Sequence, residues 1–424
     1  MQIPVKTAKS KKVIKRIFLA GILIRILIMP WFAHGDLLIV HQRSESIVCG
    51  SKSLFDYGAV GVHFLESFFL KLFSPINPCN VLAEIPRDFY QAEHINRLIF
   101  FFKIPYLLLE IGFWWLMWKV IKPTKEVAKR KLTIFMAFNP ITIYSIYMFG
   151  RFESYNLFLS ALLLLVLSGL KATPKKLFIS KDNNQHLKKT LVFAFIFLIL
   201  LTVRQSYLII FPALLIALGS LTSIGLLTLV GLGGFSLIYV LTGRGLTSLV
   251  NFIQSGHHAG YFFNAGFNTG ENRIVYLFFL GLGLIFIWAI HNWNKIKSKH
   301  PIYKFSLFSS LILSIFYATS VFHPQYLTWI LPFLAVLIFR YDYKFLYRSF
   351  WFLIPAYFIY LLSWGKFTTF GLLFPISEVF MQIEPGWYSP IYTPQVWGDI
   401  GRSLVSAFGI YWVYYLTKTE TKNA

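Results

Sequence analysis

The sequence is short of charge. Only 13% of its residues are Asp, Glu, Lys or Arg, about half the share in a soluble domain. It is shortest of acid, with 17 Asp and Glu against 40 Lys and Arg. It has two cysteines, Cys49 and Cys79, too few for a disulfide-built scaffold. A bridge between them and two separate structural thiols both fit. No P-loop, no dinucleotide-binding glycine fingerprint and no Gly-x-Ser-x-Gly elbow occurs, which argues against a nucleotide-driven enzyme or a serine hydrolase of that type. No convincing internal repeat is found.

What the chain has in abundance is apolar surface: 56% hydrophobic and 19% aromatic residues. Phe193–Val203, Leu226–Leu241, Ile274–Ile290 and Phe350–Leu362 contain no charge. A bilayer core needs about 20 mostly apolar residues as helix, and every backbone group inside it must bond internally. The runs lack the alternation of a transmembrane barrel. The expectation is therefore an all-α fold, a polytopic transmembrane helical bundle with about twelve spans. The spans fall near residues 14–33, 97–118, 132–149, 152–170, 190–204, 206–219, 222–242, 274–293, 305–322, 325–339, 349–365 and 401–417.

A net charge of +23 invites a nucleic-acid reading, but the charges alternate in place. One set of connections holds Lys6 to Arg16, Lys119 to Lys131, Lys171 to Lys189, Lys295 to Lys304, Arg340 to Arg348 and the tail; the other holds most acids, from Asp36 to Asp399. By the positive-inside rule both termini lie in the cytoplasm. The basic excess is a topology signal and an attraction to anionic membrane lipids; no nucleic-acid partner is expected. The first span follows a basic start, but Pro30-Trp31-Phe32-Ala33-His34 after it offers no small-residue cleavage site, so it reads as a retained helix.

The whole of residues 1–424 reads as one membrane domain with three long external segments. The first, residues 34–96, contains Val60 to Phe73, an amphipathic helix suited to the membrane interface, with His63, Glu66, Ser67 and Lys71 toward one side. The second, 243–273, is rich in Gly, Asn and Ser. The third, 366–399, carries Pro375, Pro385, Pro390, Pro394 and many aromatics. Loops of this length and composition are expected to fold and cap a cavity.

Charge at the membrane is a functional hypothesis. Asp36 follows span one. Arg151 and Glu153 share the turn between spans three and four, Arg204 ends span five, and His323 ends span nine, before Gln325 and Tyr326. All fall on the external side. A carboxylate in a partly dry site serves as a general base, and an arginine fork suits a phosphate. The same residues also fit plainer roles: water-boundary markers, ion pairs or packing. Lys103 and Glu110, seven apart in span two, share a helix face and read as a structural pair or a polar seam. The adjacent His257 and His258 are weak evidence for a metal without matched ligands and stand as loop residues able to touch an acceptor.

At these residues the chain resembles the GT-C class of membrane glycosyltransferases, most closely the polyprenyl-phosphate-mannose-dependent mannosyltransferases of the GT87-like group. Four segments carry the likeness: Gly35-Asp36-Leu37 with the amphipathic helix after it; Lys103-Ile104-Pro105 with Glu110; Phe138-Asn139-Pro140 followed by Gly150-Arg151-Phe152-Glu153; and Phe322-His323-Pro324-Gln325-Tyr326 with Leu331-Pro332. The likeness spans about residues 14–340. It implies a GT-C fold, a polyprenyl-phosphate-sugar donor and inverting transfer of a hexose, mannose by the resemblance, to a lipid or glycan acceptor of the cell envelope. Asp36 becomes the candidate catalytic base. His323, Arg151, Glu153, Gln325 and Tyr326 become donor contacts, and Arg204 joins them as a phosphate clamp by charge and position. Asp36 has no second acid beside it, unlike the acidic pairs of metal-using relatives, so no metal and no cofactor is expected. The location implied is a prokaryotic plasma membrane, with the active site on the external face. Two other readings fit the same outline: a transporter or lipid flippase, and a polymerase or ligase of surface polysaccharide.

Overall fold

A computed structural model describes residues 4–57, 60–72, 95–170, 181–241, 262–263, 265–270, 273–383, 386 and 390–422. His257, His258 and Cys79 lie outside these residues. The described chain is almost entirely helical. The principal helices are α1 (Pro4–Ile28), α2 (Gly35–Val48), α3 (Val60–Leu72), α4 (Ile95–Ile121), α5 (Glu126–Ala137), α6 (Glu153–Ser168), α7 (Lys181–Val203), α8 (Phe211–Leu218), α9 (Leu221–Tyr239), α10 (Leu277–His291), α11 (Pro301–Thr319), α12 (Leu331–Arg340), α13 (Lys344–Leu361) and α14 (Pro394–Lys422). Among the described residues five helices are long and apolar enough to cross a membrane: α4, the stretches Gln185–Val203 and Lys344–Thr368, α9 and α11. Shorter apolar helices accompany them at Glu153–Ser168, Gln205–Leu218, Leu277–His291 and Pro324–Arg340. The described fold is all-α apart from one short hairpin, and its long apolar helices are consistent with a membrane protein.

Two details depart from the sequence reading. Residues Gly266–Gly270 and Arg273–Tyr276 form an antiparallel hairpin, β1 and β2, in register Phe267 to Val275. The helix expected from residue 274 starts at Leu277, because Ile274, Val275 and Tyr276 are residues that favour strand. The span expected over 132–149 is also broken. Asn139 accepts from the Ile141 amide at 3.0 Å and caps a new start with Pro140 at its first position, the arrangement that proline and asparagine favour at a helix N-terminus. A π-helical turn, Ile143–Met148, follows.

The chain divides into two compact units, each described by itself. The first comprises Met1–Phe158, Phe339–Asp342 and Ile354–Gly401. Its core is locked by Arg25 of α1. That guanidinium donates to both Glu110 oxygens, at 2.6 and 2.7 Å, and to the carbonyl of Ala137 at 2.6 Å. The Tyr147 hydroxyl donates to the same Glu110 carboxylate at 2.6 Å. Arg25 lies 4.7 Å from the Trp114 ring centre, and both charged side chains have no exposed surface. Gly21 lets α1 close on α5: a Cβ there would sit 2.7 Å from that of Ala137.

Lys103 and Glu110 are therefore not partners of each other, correcting the expected pair, but both meet Tyr147 and the α1 region, so they do share one polar face of α4. Seven residues along a helix separate them by about 10 Å, too far for contact. Lys103 instead donates to the carbonyls of Met29 (3.1 Å), Tyr147 (2.7 Å) and Phe32, which matches its three N–H donors one for one.

The second unit comprises Leu159–Ile338, Tyr343–Leu353 and Arg402–Ala424. Its centre is α11, buried along nearly its whole length. Gly409 of α14 approaches α11 so closely that a Cβ would lie 2.5 Å from the Ser314 carbonyl. Arg402 donates to the carbonyls of Tyr317 and Ser320 at the end of α11, neutralising partial negative charge there.

Candidate functional site

Asp36 opens α2. His34 caps that helix, its Nδ1 accepting from the Asp36 amide at 3.1 Å, and its ring stacks on Phe149 at 4.1 Å. The Asp36 carboxylate is ion-paired with Arg151 and lies 3.4 Å from His34 Nδ1. The sequence places the arginine through Gly150, whose φ of +79° and tight approach to Leu37 exclude a side chain. Arg151 N then donates to the Ser145 carbonyl at 3.0 Å, and His34 N to that of Phe149 at 3.2 Å. The Asp36 side chain keeps 32% of its surface exposed and faces a cavity of about 160 Å³ walled by Ala33, Ile39, Phe367, Gly371, Phe374 and Met381. The last four come from the proline-rich segment expected to cover a cavity. A second cavity, of about 510 Å³ and almost wholly apolar, is lined by Phe32, Tyr144, Met148, Phe358, Leu362 and Phe370 among others.

Glu153, grouped with Arg151 by sequence, is fully buried and starts α6. It accepts from Asn156 Nδ2 at 2.7 Å, and a carboxylate suits a helix N-terminus.

In the second unit Arg204 sits where α7 gives way to a short helical turn, Gln205–Ile210. It is 8% exposed, and its guanidinium lies 4.6 Å from the Tyr326 ring centre and 5.6 Å from that of Trp329. Tyr326 and Trp329 stack at 4.3 Å, and Tyr207 meets Trp329 at 5.0 Å. His323 precedes the helical turn Pro324–Ile330 and meets Tyr326 edge-on at 5.6 Å. Gln325 is buried, and its Nε2 lacks a hydrogen bond. Arg204, His323, Gln325 and Tyr326 thus gather in one place. A guanidinium on aromatic faces keeps its charge while shedding water, which suits an anion that arrives partly dry.

Sequence reasoning missed Trp329, Tyr207 and His34, which no motif singles out. It placed a polar group on one side of α3 without expecting that side to be buried. That helix turns His63, Glu66 and Ser67 inward, while Phe64, Phe68 and Leu72 are 58%, 59% and 62% exposed. Lys71, expected with the polar group, is exposed. Burial pushes the His63 and His41 imidazoles down to about 4 and the Glu66 carboxyl up to about 8. Among the described residues, no group of His, Cys, Asp and Glu could hold a metal ion.

No protein-family model, curated protein or solved structure matches this chain.

Proposed function

We propose that the protein is a GT-C class membrane glycosyltransferase, moving a hexose, mannose by the resemblance, from a polyprenyl-phosphate-sugar to a lipid or glycan acceptor on the external face. The observation that carries this is Asp36, a half-exposed carboxylate oriented by Arg151 at the wall of a small cavity. In the reaction Asp36 takes the proton of the acceptor hydroxyl. The hydroxyl oxygen attacks the anomeric carbon, the bond to the lipid phosphate breaks with its electrons, and the configuration inverts. The reading assigns the departing phosphate to Arg204, with His323, Gln325 and Tyr326 as further donor contacts. Arg151 orients the base, and Glu153 braces the start of α6. The 510 Å³ apolar cavity has the size and lining suited to a hydrocarbon chain. The reading carries about twelve spans, cytoplasmic termini and a prokaryotic plasma membrane.

Transport remains the rival class, but its best intramembrane candidates are consumed by structure: Arg25 and Glu110 bind each other, and Lys103 binds carbonyls.

The test is transfer of radiolabelled sugar by purified protein in detergent. Short-chain polyprenyl-phosphate-mannose and polyprenyl-phosphate-glucose are offered separately with a crude lipid acceptor extract, beside Asp36→Asn. Labelled product from one donor, absent in the variant, is expected. Folded protein that neither transfers nor breaks down either donor would overturn the reading and point to flux measurements in vesicles.

A further inference from the structure

Glu66 stands apart from the other buried acids of its unit. Glu110 meets Arg25, and Glu153 accepts from Asn156. Glu66 has no exposed surface, and no Lys, Arg or His pairs with it among the described residues. Tyr106 of α4 and Tyr155 of α6 face it, their rings edge-to-face at 5.8 Å. Their hydroxyls are buried beside its carboxyl.

The charged groups of the packed elements are engaged elsewhere. On α2, which packs on α3, His41 lies 3.9 Å from Glu45, Arg43 lies over Tyr57, and Asp36 pairs with Arg151. On α3, His63 lies beside the Tyr57 ring at 5.0 Å, and Lys71 is exposed. On α4, Lys103 is taken by three carbonyls and Glu110 by Arg25, while Arg97 is exposed. Among the described residues no salt bridge reaches Glu66. An ionised carboxylate in such a place is costly. A neutral carboxyl brings an O–H donor to two phenol oxygens.

We propose that Glu66 is a positioning residue acting as the un-ionised acid: it holds Tyr106 and Tyr155 and, through Tyr155 at the start of α6, the neighbouring Arg151 that orients Asp36. Tyr155 lies four residues after Arg151 at the start of α6, and its amide donates to the Phe152 carbonyl at 3.1 Å, which is the link to the ion pair. The functional part rests on reading Asp36 as the acceptor base.

The sign of the pH effect follows from linkage. Burial pushes the docked carboxyl up to about 8, from an ordinary value of 4.5. Docking of α3 is therefore tightest below pH 4.5, weakens up to about tenfold per pH unit toward pH 8, and levels off above it.

Hydrogen–deuterium exchange of the full chain in detergent, from pH 6 to 9 and corrected for intrinsic rates, tests this. The wild type, Glu66→Gln and Glu66→Ala are compared. In the wild type, opening of residues 60–72 should rise with pH and flatten near 8. The amides of His34 and Arg151, which hold the Asp36 turn, should loosen in the same window. Glu66→Gln, a neutral donor of similar shape, should stay closed and pH-independent, and Glu66→Ala should open at every pH. A flat wild-type profile, or a pH dependence that survives in Glu66→Gln, overturns the proposal. Loosening of 60–72 without change at His34 and Arg151 overturns the positioning role. Failure of sugar transfer alongside the expected exchange counts against the transferase reading alone.

Discussion

The first unit contains two arginine–carboxylate pairs of opposite character. Arg25 and Glu110 meet in a paired fork with no exposed surface, and the surplus donors go to the carbonyls of Ala137 and Gly21 while Tyr147 adds a bond to the carboxylate. Arg151 and Asp36 meet at a cavity wall with 18% and 32% of their side chains exposed, and Arg151 Nε has no hydrogen bond. Chemically the pairs are alike; their surroundings decide what each can do. A pair whose bonding capacity is spent is a lock. A pair with an open side can still take a proton or a ligand. The same contrast separates Lys103, saturated by carbonyls, from Arg204, which rests on aromatic faces.

Four substitutions and two companion variants test that contrast, in order of expected effect. Asp36→Asn should lower the transfer rate about 10²–10⁴-fold, the usual worth of a general base, with an unchanged melting temperature in detergent. Arg25→Met should do the reverse, destabilising by about 3–5 kcal/mol through the buried charge it strands. The double variant Arg25→Met/Glu110→Leu should regain most of the loss in thermal melts. If Arg25→Met melts normally, the lock is not one. Arg204→Ala should raise the KM for the lipid-linked donor about 10- to 100-fold, as loss of a charged hydrogen bond worth about 1.5–3 kcal/mol implies. Arg204→Lys should restore only part, since the ammonium lacks the planar fork; full restoration would argue for simple charge. Smallest of all, breaking the exposed Glu126–Lys129 pair with Glu126→Gln should change stability by no more than about 1 kcal/mol.

The helices were legible where composition alone decides. The charge-free runs marked α9, α10 and α13, and α3 was expected over Val60–Phe73 and observed over Val60–Leu72. The orientation of its polar side follows from chemistry too: His63, Glu66 and Ser67 turn inward and phenylalanines outward, the reverse of a water-soluble helix. Breaks within helices were less visible, because Asn139-Pro140 reads as a cap only once the turn before it is seen. The partner of Glu110 was the hardest to read. Arg25 is 85 residues away, beyond any local pattern, and Lys103 was the nearer suggestion. Yet a signal was present, since Arg25 is a lone cation in an otherwise apolar stretch of the first span. Cys49 is disulfide-bonded, a point that spacing alone left open. For the candidate site, the charged residues were legible one by one, but the aromatic bed under Arg204 was not, since Tyr207 and Trp329 look like ordinary core.

The Arg25–Glu110 lock also imposes a schedule on biosynthesis. With α1 read as the first span, Arg25 enters the hydrocarbon alone, at roughly 2.5–3.5 kcal/mol on insertion scales. Its counter-charge lies 85 residues downstream, roughly 4–17 s later at ordinary rates of translation. Until then α1 is a reluctant resident of the bilayer, best kept beside the insertion machinery. On that reading of α1 the arrival of α4 releases it, and the pair would serve as an assembly checkpoint before it serves as a lock.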